Sequence, residues 1–225
     1  MRIQTLLILA ATLTLGLEAQ AGTINVQFNN ATNYTGPAVI SSGSNSWSHG
    51  TGGIVVDSTG AVVLAGGSGV TVSLGGAFSG FSTTGTFQGA LTNSYLYTTS
   101  SAFFTISGLR TNQAYSMVVL AYDNAGFATG GTFSTVAGGT DGINDSDFVS
   151  KSGGISSWIN RRDYVLLDVQ TGSLGTLTTT LTRGANEVAV NGFQLTEVVP
   201  EPGCKSPEPG SGFRCTNRHG SIPCA

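Results

Sequence analysis

Apolar and polar residues alternate with a period of two along much of the chain between residues 22 and 202. In segment 23–29, Ile24, Val26 and Phe28 share one side. Successive side chains of a strand point to opposite faces, so this pattern predicts sheets with one buried and one wet face. The same pattern predicts strands over segments 70–74, 102–107, 163–169 and 177–181.

Two segments depart from simple alternation. Segment 115–122 is apolar on both faces, which predicts a central strand. Near the end of the pattern, Val188 and Val190 have one parity and Phe193 and Leu195 the other, with Asn191 and Gly192 between. We expect a β-bulge at the glycine to return all four to the core.

Helical periodicity is nearly absent, and clusters of Gly, Ser, Asn and Asp separate the strand signals. Short strands with turn signals about every ten residues are typical of sandwiches. The sequence therefore predicts an all-β fold, an antiparallel β-sandwich of the jelly-roll type, as a single domain over residues 22–198. Stretches 31–53 and 123–154 are predicted to be long loops, where such scaffolds carry function.

The first 21 residues have the features of a secretory signal peptide. Arg2 precedes an apolar run, 6–17, and Ala19 and Ala21 fit the small-residue cleavage rule, with Gly22 as the new N-terminus. The run is shorter than the roughly 20 residues that a membrane-spanning helix needs. We therefore expect export.

The last predicted strand runs directly into Val199, Pro200, Glu201 and Pro202. Together with segments 24–29, 106–116 and 191–195, this ending resembles the bacterial PEP-CTERM surface proteins, whose β-sandwich ectodomains are similar to galactose-binding-like and malectin-like jelly rolls. The resemblance implies that residues 199–202 are a sorting motif for a protease of the exosortase type. It also implies a cell surface on which extracellular polysaccharide is made.

In that family a membrane-spanning helix and a basic cluster follow the motif. Residues 203–225 here contain instead several prolines and Cys204, Cys215 and Cys224. We expect this stretch to be a disordered tail without the anchor helix, and sorting to be lost or impaired. The expected location is secreted, periplasmic or at the cell surface, with membrane anchoring in doubt.

Composition narrows the range of partners. The formal net charge is −3, with only 9 Lys and Arg residues, so no basic patch could neutralise a row of phosphates. Nucleic acid is therefore a poor partner. Ser, Thr, Asn and Gly dominate the polar positions, and such a neutral hydrogen-bonding surface suits polysaccharide or a neighbouring protein.

Catalytic residues are sparse between residues 22 and 202. His49 is the one histidine there, cysteine is absent, and no Gly-x-Ser-x-Gly elbow occurs. The carboxylates of Asp123 and Asp163 could in principle serve a glycosidase, as could those of the 141–147 segment. Aspartates in loops more often serve turns, so we expect no enzyme.

An acidic segment contains the candidate metal ligands Asp141, Asn144, Asp145 and Asp147. Calcium prefers several oxygen ligands of this kind, although the spacing is not that of an EF-hand. A structural calcium site is one hypothesis, and a solvated turn is the alternative. No other cofactor is expected.

Two tryptophans lie in polar stretches. Trp47 and Trp158 are flanked by hydrogen-bonding residues, and a sugar ring presents an apolar face that an indole can cover. Tyr34 and Arg162 could assist such a platform. The alternative is that each tryptophan plugs an end of the sandwich.

These patterns favour an exported, non-catalytic protein that associates with extracellular polysaccharide or surface matrix. A purely structural or adhesive β-sandwich without a specific ligand is the first alternative. A glycoside-active enzyme is the second.

Overall fold

The computed structural model describes residues 23–28, 34, 38–40, 48–49, 62–63, 70–82, 90–123, 130–150, 157–198, 214–217 and 220–223. Within them nearly all regular structure is β. The elements are β1 Thr23–Gln27, β2 Ser48–His49, β3 Val62–Val63, β4 Thr71–Gly76, β5 Ser79–Ser82, α1 Ala90–Asn93, β6 Ser94–Thr98, β7 Ser101–Ser107, β8 Ala114–Leu120, β9 Gly131–Ala137, β10 Asp145–Val149, β11 Tyr164–Gln170, β12 Leu177–Arg183, β13 Val188–Val190, β14 Gly192–Glu197, β15 Arg214–Asn217 and β16 Gly220–Pro223.

The strands form two large sheets. The first has the order β11-β8-β14-β1-β2, and the second β10-β9-β12-β7-β4-β3. All pairs in them are antiparallel except β1 with β2. The chain crosses between the sheets repeatedly, as at β7-β8-β9 and β10-β11-β12. The prediction of an all-β antiparallel sandwich of the jelly-roll type is confirmed.

Aromatic side chains join the two sheets at the centre of the core. Phe104 of β7 stacks on Phe193 of β14, with ring centroids 5.3 Å apart and planes 2° from parallel. Phe28, which follows β1, packs against both rings at 5.5 and 6.1 Å. Since β7 belongs to one sheet and β14 to the other, these contacts hold the layers together.

The predicted central strand is confirmed in β8, which lies between β11 and β14. Its Met117 and Val119 enter the main core between the sheets. Val118 and Leu120 point to the opposite side, where a smaller apolar cluster covers them. The apolar character of both faces therefore reflects burial on both faces.

The phase change near Asn191 is a change of sheet, and not the bulge within one strand that the sequence suggested. β13 pairs with β6 in a small third sheet, whereas β14 pairs with β1 and β8. All four apolar residues around the break are buried, as expected. Gly192 is required there, because a Cβ atom would overlap the carbonyl oxygen of Val26.

The predicted loop 123–154 contains two strands, β9 and β10, which is a correction. Alternation failed to predict them because their inward positions are mostly not apolar. Thr135 of β9 is buried and its hydroxyl hydrogen-bonds that of Thr179 at 2.8 Å. Asp145 of β10 accepts a hydrogen bond from the backbone N–H of Asp168 at 2.9 Å, which satisfies one N–H group on the edge of β11.

The stretch predicted to be a disordered tail contains the hairpin β15-β16. These strands pair antiparallel, with Cys215 opposite Ile222. Backbone pairing in a hairpin satisfies the N–H and C=O groups locally, and the polar composition of the stretch gave no sign of it. The remaining tail residues lie outside the described part of the chain.

Phe103 and Phe104 offer a matched test of the core. Replacing Phe104 by Ala should cost about 3–5 kcal/mol of unfolding free energy, because it empties the space between the sheets. Phe103→Ala, on the outer face of the same strand and 41% exposed, should cost under about 1 kcal/mol. Urea denaturation of both variants measures the difference, and equal losses would contradict a core at Phe104.

Candidate functional site

An aromatic patch lies on the outer face of the five-stranded sheet. We define it by Tyr34, Trp158, Tyr164 and Arg162. The three aromatic side chains are partly buried and pack against one small cluster, which consists of Leu91, Val118 and Leu120. The structure thus brings Tyr34 and Trp158 to the same cluster, while their role as a sugar platform stays a prediction.

A buried glutamine fixes the segment that follows Tyr34. The side-chain oxygen of Gln194 accepts hydrogen bonds from the backbone N–H groups of Val39 and Ile40, at 2.9 and 3.0 Å. Its amide nitrogen donates to the side-chain oxygen of Asn25 at 2.8 Å. Segment 38–40 is therefore held over the sheet by a satisfied polar network, which is costly to break when buried.

The tight turn 159–163 positions Trp158 and Arg162. The carboxylate of Asp163 accepts a hydrogen bond from the backbone N–H of Ile159 at 3.0 Å, and the N–H of Asp163 donates to the carbonyl of Ile159 at 2.9 Å. Arg161 adopts a positive φ of 62° in this turn. Such a conformation is uncommon outside glycine, and the reciprocal bonds hold it in place.

Arg162 is bound to the same carboxylate. Its Nε donates to both Asp163 oxygens at 3.0 and 2.9 Å, and its Nη2 donates at 2.7 Å. Asp163 is fully buried, whereas 34% of the Arg162 side chain is exposed. The hydrogen bond to Asp163 raises the pKa of the Arg162 guanidinium. The patch therefore has a fixed guanidinium at its rim, and the buried Asp163 carboxylate offsets its charge.

Trp158 packs edge-on against Tyr122, with ring centroids 6.3 Å apart and planes at 80°. Tyr122 is buried, and its backbone N–H donates to the side-chain oxygen of Asn191 at 2.7 Å. Asn191, where the chain changes sheet, thus holds Tyr122 in place, and Tyr122 supports Trp158. Trp158 therefore has features of both a sugar platform and a plug of the sandwich, because it is packed against the protein and also partly exposed.

The patch has the composition of a site for an uncharged ring-shaped ligand. Aromatic faces cover the C–H surface of a ring, while hydroxyl and guanidinium groups donate to its oxygens. Burial raises the pKa of Tyr34 above its ordinary value near 10, and its hydroxyl is protonated at neutral pH with or without this shift. Ile159, 44% exposed, adds apolar surface beside Trp158.

A carboxylate cluster adjoins the patch through the Tyr122–Asp123 peptide. Asp123 is fully buried and accepts a hydrogen bond from the hydroxyl of Tyr95 at 2.7 Å. Burial and this bond raise the pKa of Tyr95. Burial and the charge of Asp123 also raise the pKa of Glu187. Asp123 and Glu187 therefore lie close enough to repel each other.

The predicted calcium ligands contact protein groups. Asn144 accepts from the backbone N–H of Ala137 at 2.8 Å, Asp145 accepts from Asp168, and Asp147 forms an ion pair with Arg161 at 3.0 Å. Asp141 is exposed, with a φ of 63°. Among the described residues no group of three or more His, Cys, Asp or Glu side chains could hold a metal ion. Calcium binding stays a prediction.

Several predicted features lie outside the described residues: Trp47, the signal peptide with Ala19, Ala21 and Gly22, and the sorting motif with Pro200, Glu201 and Pro202. The backbone of His49 belongs to β2. In the part of the chain that is described, no helix combines the length and apolar character required to cross a membrane.

Sequence reasoning missed two aromatic members of this region. Tyr164 begins β11, and Tyr122 lies two residues after the end of β8. Both were assigned to strands by their apolar character alone. β11 pairs with β8, and Tyr164 lies opposite Leu120. The position of both tyrosines at this end of two paired strands could have indicated that they lie near Trp158.

No protein-family model and no curated protein matches the chain. Among solved structures, the mosquito-larvicidal Cry4Aa toxin from Bacillus thuringiensis matches with a TM-score of 0.37 and 10% identity, over 58% of this chain and 24% of the toxin. TmCBM61 in complex with β-1,4-galactotriose matches with a TM-score of 0.33 and 14% identity, over 57% and 88%.

The CBM22-1–GH10 modules of Clostridium thermocellum xylanase 10B with xylohexaose match with a TM-score of 0.34 and 8% identity, over 62% of this chain and 28% of that one. The chain thus spans only about a quarter of the toxin and of this enzyme. At such low TM-scores these similarities carry no argument about function.

Glu187→Gln tests the carboxylate cluster. Because the folded state raises the pKa of Glu187 above its ordinary 4.5, ionisation of Glu187 destabilises the fold, and this loss sets in as the pH rises through 4.5. The neutral glutamine should therefore raise the Tm at pH 7 and leave it nearly unchanged at pH 3. Calorimetry at both pH values measures this, and a lower Tm for the variant at pH 7 would contradict it.

Proposed function

We propose that this protein is an exported, non-catalytic β-sandwich that binds uncharged extracellular polysaccharide at the aromatic patch. The observation that carries the proposal is the convergence of Tyr34, Trp158 and Tyr164 on one apolar cluster beside a fixed guanidinium. Aromatic surface with a few oriented polar groups is the usual composition of a small-ligand site. The formal net charge of −3 argues against an anionic polymer as ligand.

The environment of the aspartates supports a non-catalytic role. Asp123 and Asp163 are both fully buried, the first against Tyr95 and the second against Arg162. A glycosidase needs two carboxyl groups that flank the scissile bond of a bound sugar. Carboxylates already bonded to protein groups in the interior are poorly placed for that chemistry.

Export is part of the same proposal. The signal peptide 1–21 would deliver the sandwich outside the cytoplasm, whereas residues 199–202 would serve an exosortase-type protease only if the sorting end were intact. The neutral surface of the sandwich suits a matrix of extracellular polysaccharide at the cell surface.

Trp158→Ala should abolish or reduce at least tenfold the binding of neutral oligosaccharides on a glycan array. The loss follows because the variant removes the largest ring of the patch. Leu174→Ala is the matched control, since Leu174 is 67% exposed and lies outside the patch. Both proteins should melt cooperatively. Equal array binding by the two variants would refute the site.

The fluorescence of Trp158 also reports ligand binding, and this measurement leaves the Trp158 ring in place. In a Trp47→Phe background, the fluorescence of the remaining tryptophan should shift and quench when a bound oligosaccharide covers the indole. An unchanged emission spectrum at saturating ligand would contradict binding at Trp158.

Expression in a bacterial host with a general secretion pathway tests export. The mature protein recovered outside the cytoplasm should begin at Gly22, because the Ala19 and Ala21 pair directs cleavage there. N-terminal sequencing or mass spectrometry gives the answer. Protein retained in the cytoplasm with Met1 or Arg2 at its start would refute export.

A further inference from the structure

The outer face of the six-stranded sheet is a second open surface. We call it the neutral face and define it by the outward residues Phe103, Thr105, Thr178, Thr180, Val136 and Phe148. Three of these are large apolar side chains left exposed, Phe103 at 41%, Val136 at 49% and Phe148 at 51%. They belong to three different strands, β7, β9 and β10.

Hydroxyl groups lie in rows between the exposed apolar side chains. Phe103 is opposite Thr180, which is opposite Ser134. In the next row Thr105 is opposite Thr178, and their hydroxyls hydrogen-bond at 3.0 Å. Neighbouring strands lie about 4.8 Å apart and outward residues on a strand about 6.8 Å apart, so the hydroxyls repeat regularly in two directions.

The aromatic rings of the neutral face are held in position. The ring of Phe103 lies over Gly75 of β4, where a Cβ atom would overlap it. Phe148 has the guanidinium of Arg161 5.7 Å from its ring centroid, and Arg161 is in turn paired with Asp147. Rings fixed in this way lose little freedom when a flat ligand covers them.

The outward residues described for β4, β7, β9, β10 and β12 are uncharged, and the guanidinium of Arg161, which lies over the Phe148 ring, is neutralised by its ion pair with Asp147. The charged residues of β10, Asp145 and Asp147, have the opposite parity to Phe148. The chain as a whole has a net charge of −3. An uncharged patch on an acidic protein is complementary to an uncharged partner and gives no attraction to an ionic one.

The size of the neutral face argues against a second copy of this chain as its partner. Five strands by about three outward rows cover roughly 500 Å². A protein interface of standard size buries about 800 Å² on each partner, so this face alone is smaller than a typical stable dimer interface. A polymer surface of repeated sugar rings can be bound through a smaller contact area, because the neutral face can bind at many equivalent positions on it.

We propose that the neutral face binds uncharged polysaccharide chains that are packed side by side in an insoluble surface. Phe103 and Phe148 would cover the C–H faces of sugar rings, and the threonine rows would exchange hydrogen bonds with sugar hydroxyls. The aromatic patch takes a single chain, whereas this face takes a flat array of chains. The inference rests on the proposed function only in assuming that the ligand is carbohydrate.

Binding of the purified full chain to microcrystalline cellulose and to chitin powder tests the inference. The double variant Phe103→Ala with Phe148→Ala should reduce the bound fraction at least fivefold. Thr132→Lys, which puts a charge beside Phe148, should do the same without removing a ring. The control Ile143→Ala with Leu174→Ala removes two exposed apolar side chains outside the face and should bind like the wild type.

The outcomes separate this inference from the proposed function. Variants of the neutral face should keep the glycan-array binding of soluble oligosaccharides, and Trp158→Ala should keep the binding to the insoluble polymers. Unchanged retention of the double variant and of Thr132→Lys on both polymers would overturn the inference, as would a wild type that binds neither polymer. Sedimentation velocity that shows a wild-type dimer, lost in the double variant, would assign the face to a second copy instead.

Discussion

The stack of Phe104 on Phe193 is the contact on which the rest of the architecture depends. It joins the two sheets at the centre of the core and is completed by Phe28. Once the sheets are fixed in this way, each has one outer face left for solvent or ligand. The aromatic patch lies on one of these faces and the neutral face on the other, so the core separates two surfaces of different chemistry.

Asn191 connects this core to the aromatic patch. Its backbone N–H donates to Leu120, its carbonyl accepts from Phe28, and its side chain accepts from Tyr122. These bonds link β1, β8 and the start of β14 at the point where the chain changes sheet. Tyr122 in turn supports Trp158, so the orientation of the patch follows from the packing of the strands rather than from a loop alone.

The sequence predicted the strands with apolar inward positions, such as β7 and β12, because period-two alternation reports burial directly. It failed at β9 and β10, where Thr135 and Asp145 replace apolar side chains and are satisfied by cross-strand and edge hydrogen bonds. The partners of Trp158 could not be predicted, because strand order decides which residues meet. The neutral face also gave no signal, since threonine at outward positions has the pattern of any solvated face.

Mapping of backbone amide resonances during titration with a neutral oligosaccharide tests the central claim, that the side of the five-stranded sheet away from the core binds sugar. We expect the chemical-shift changes to concentrate at segment 157–164 and around Tyr34, and to extend to segment 38–40. Shifts confined to the opposite end, around Gln113 and Leu174, or no shifts at saturating ligand, would contradict it.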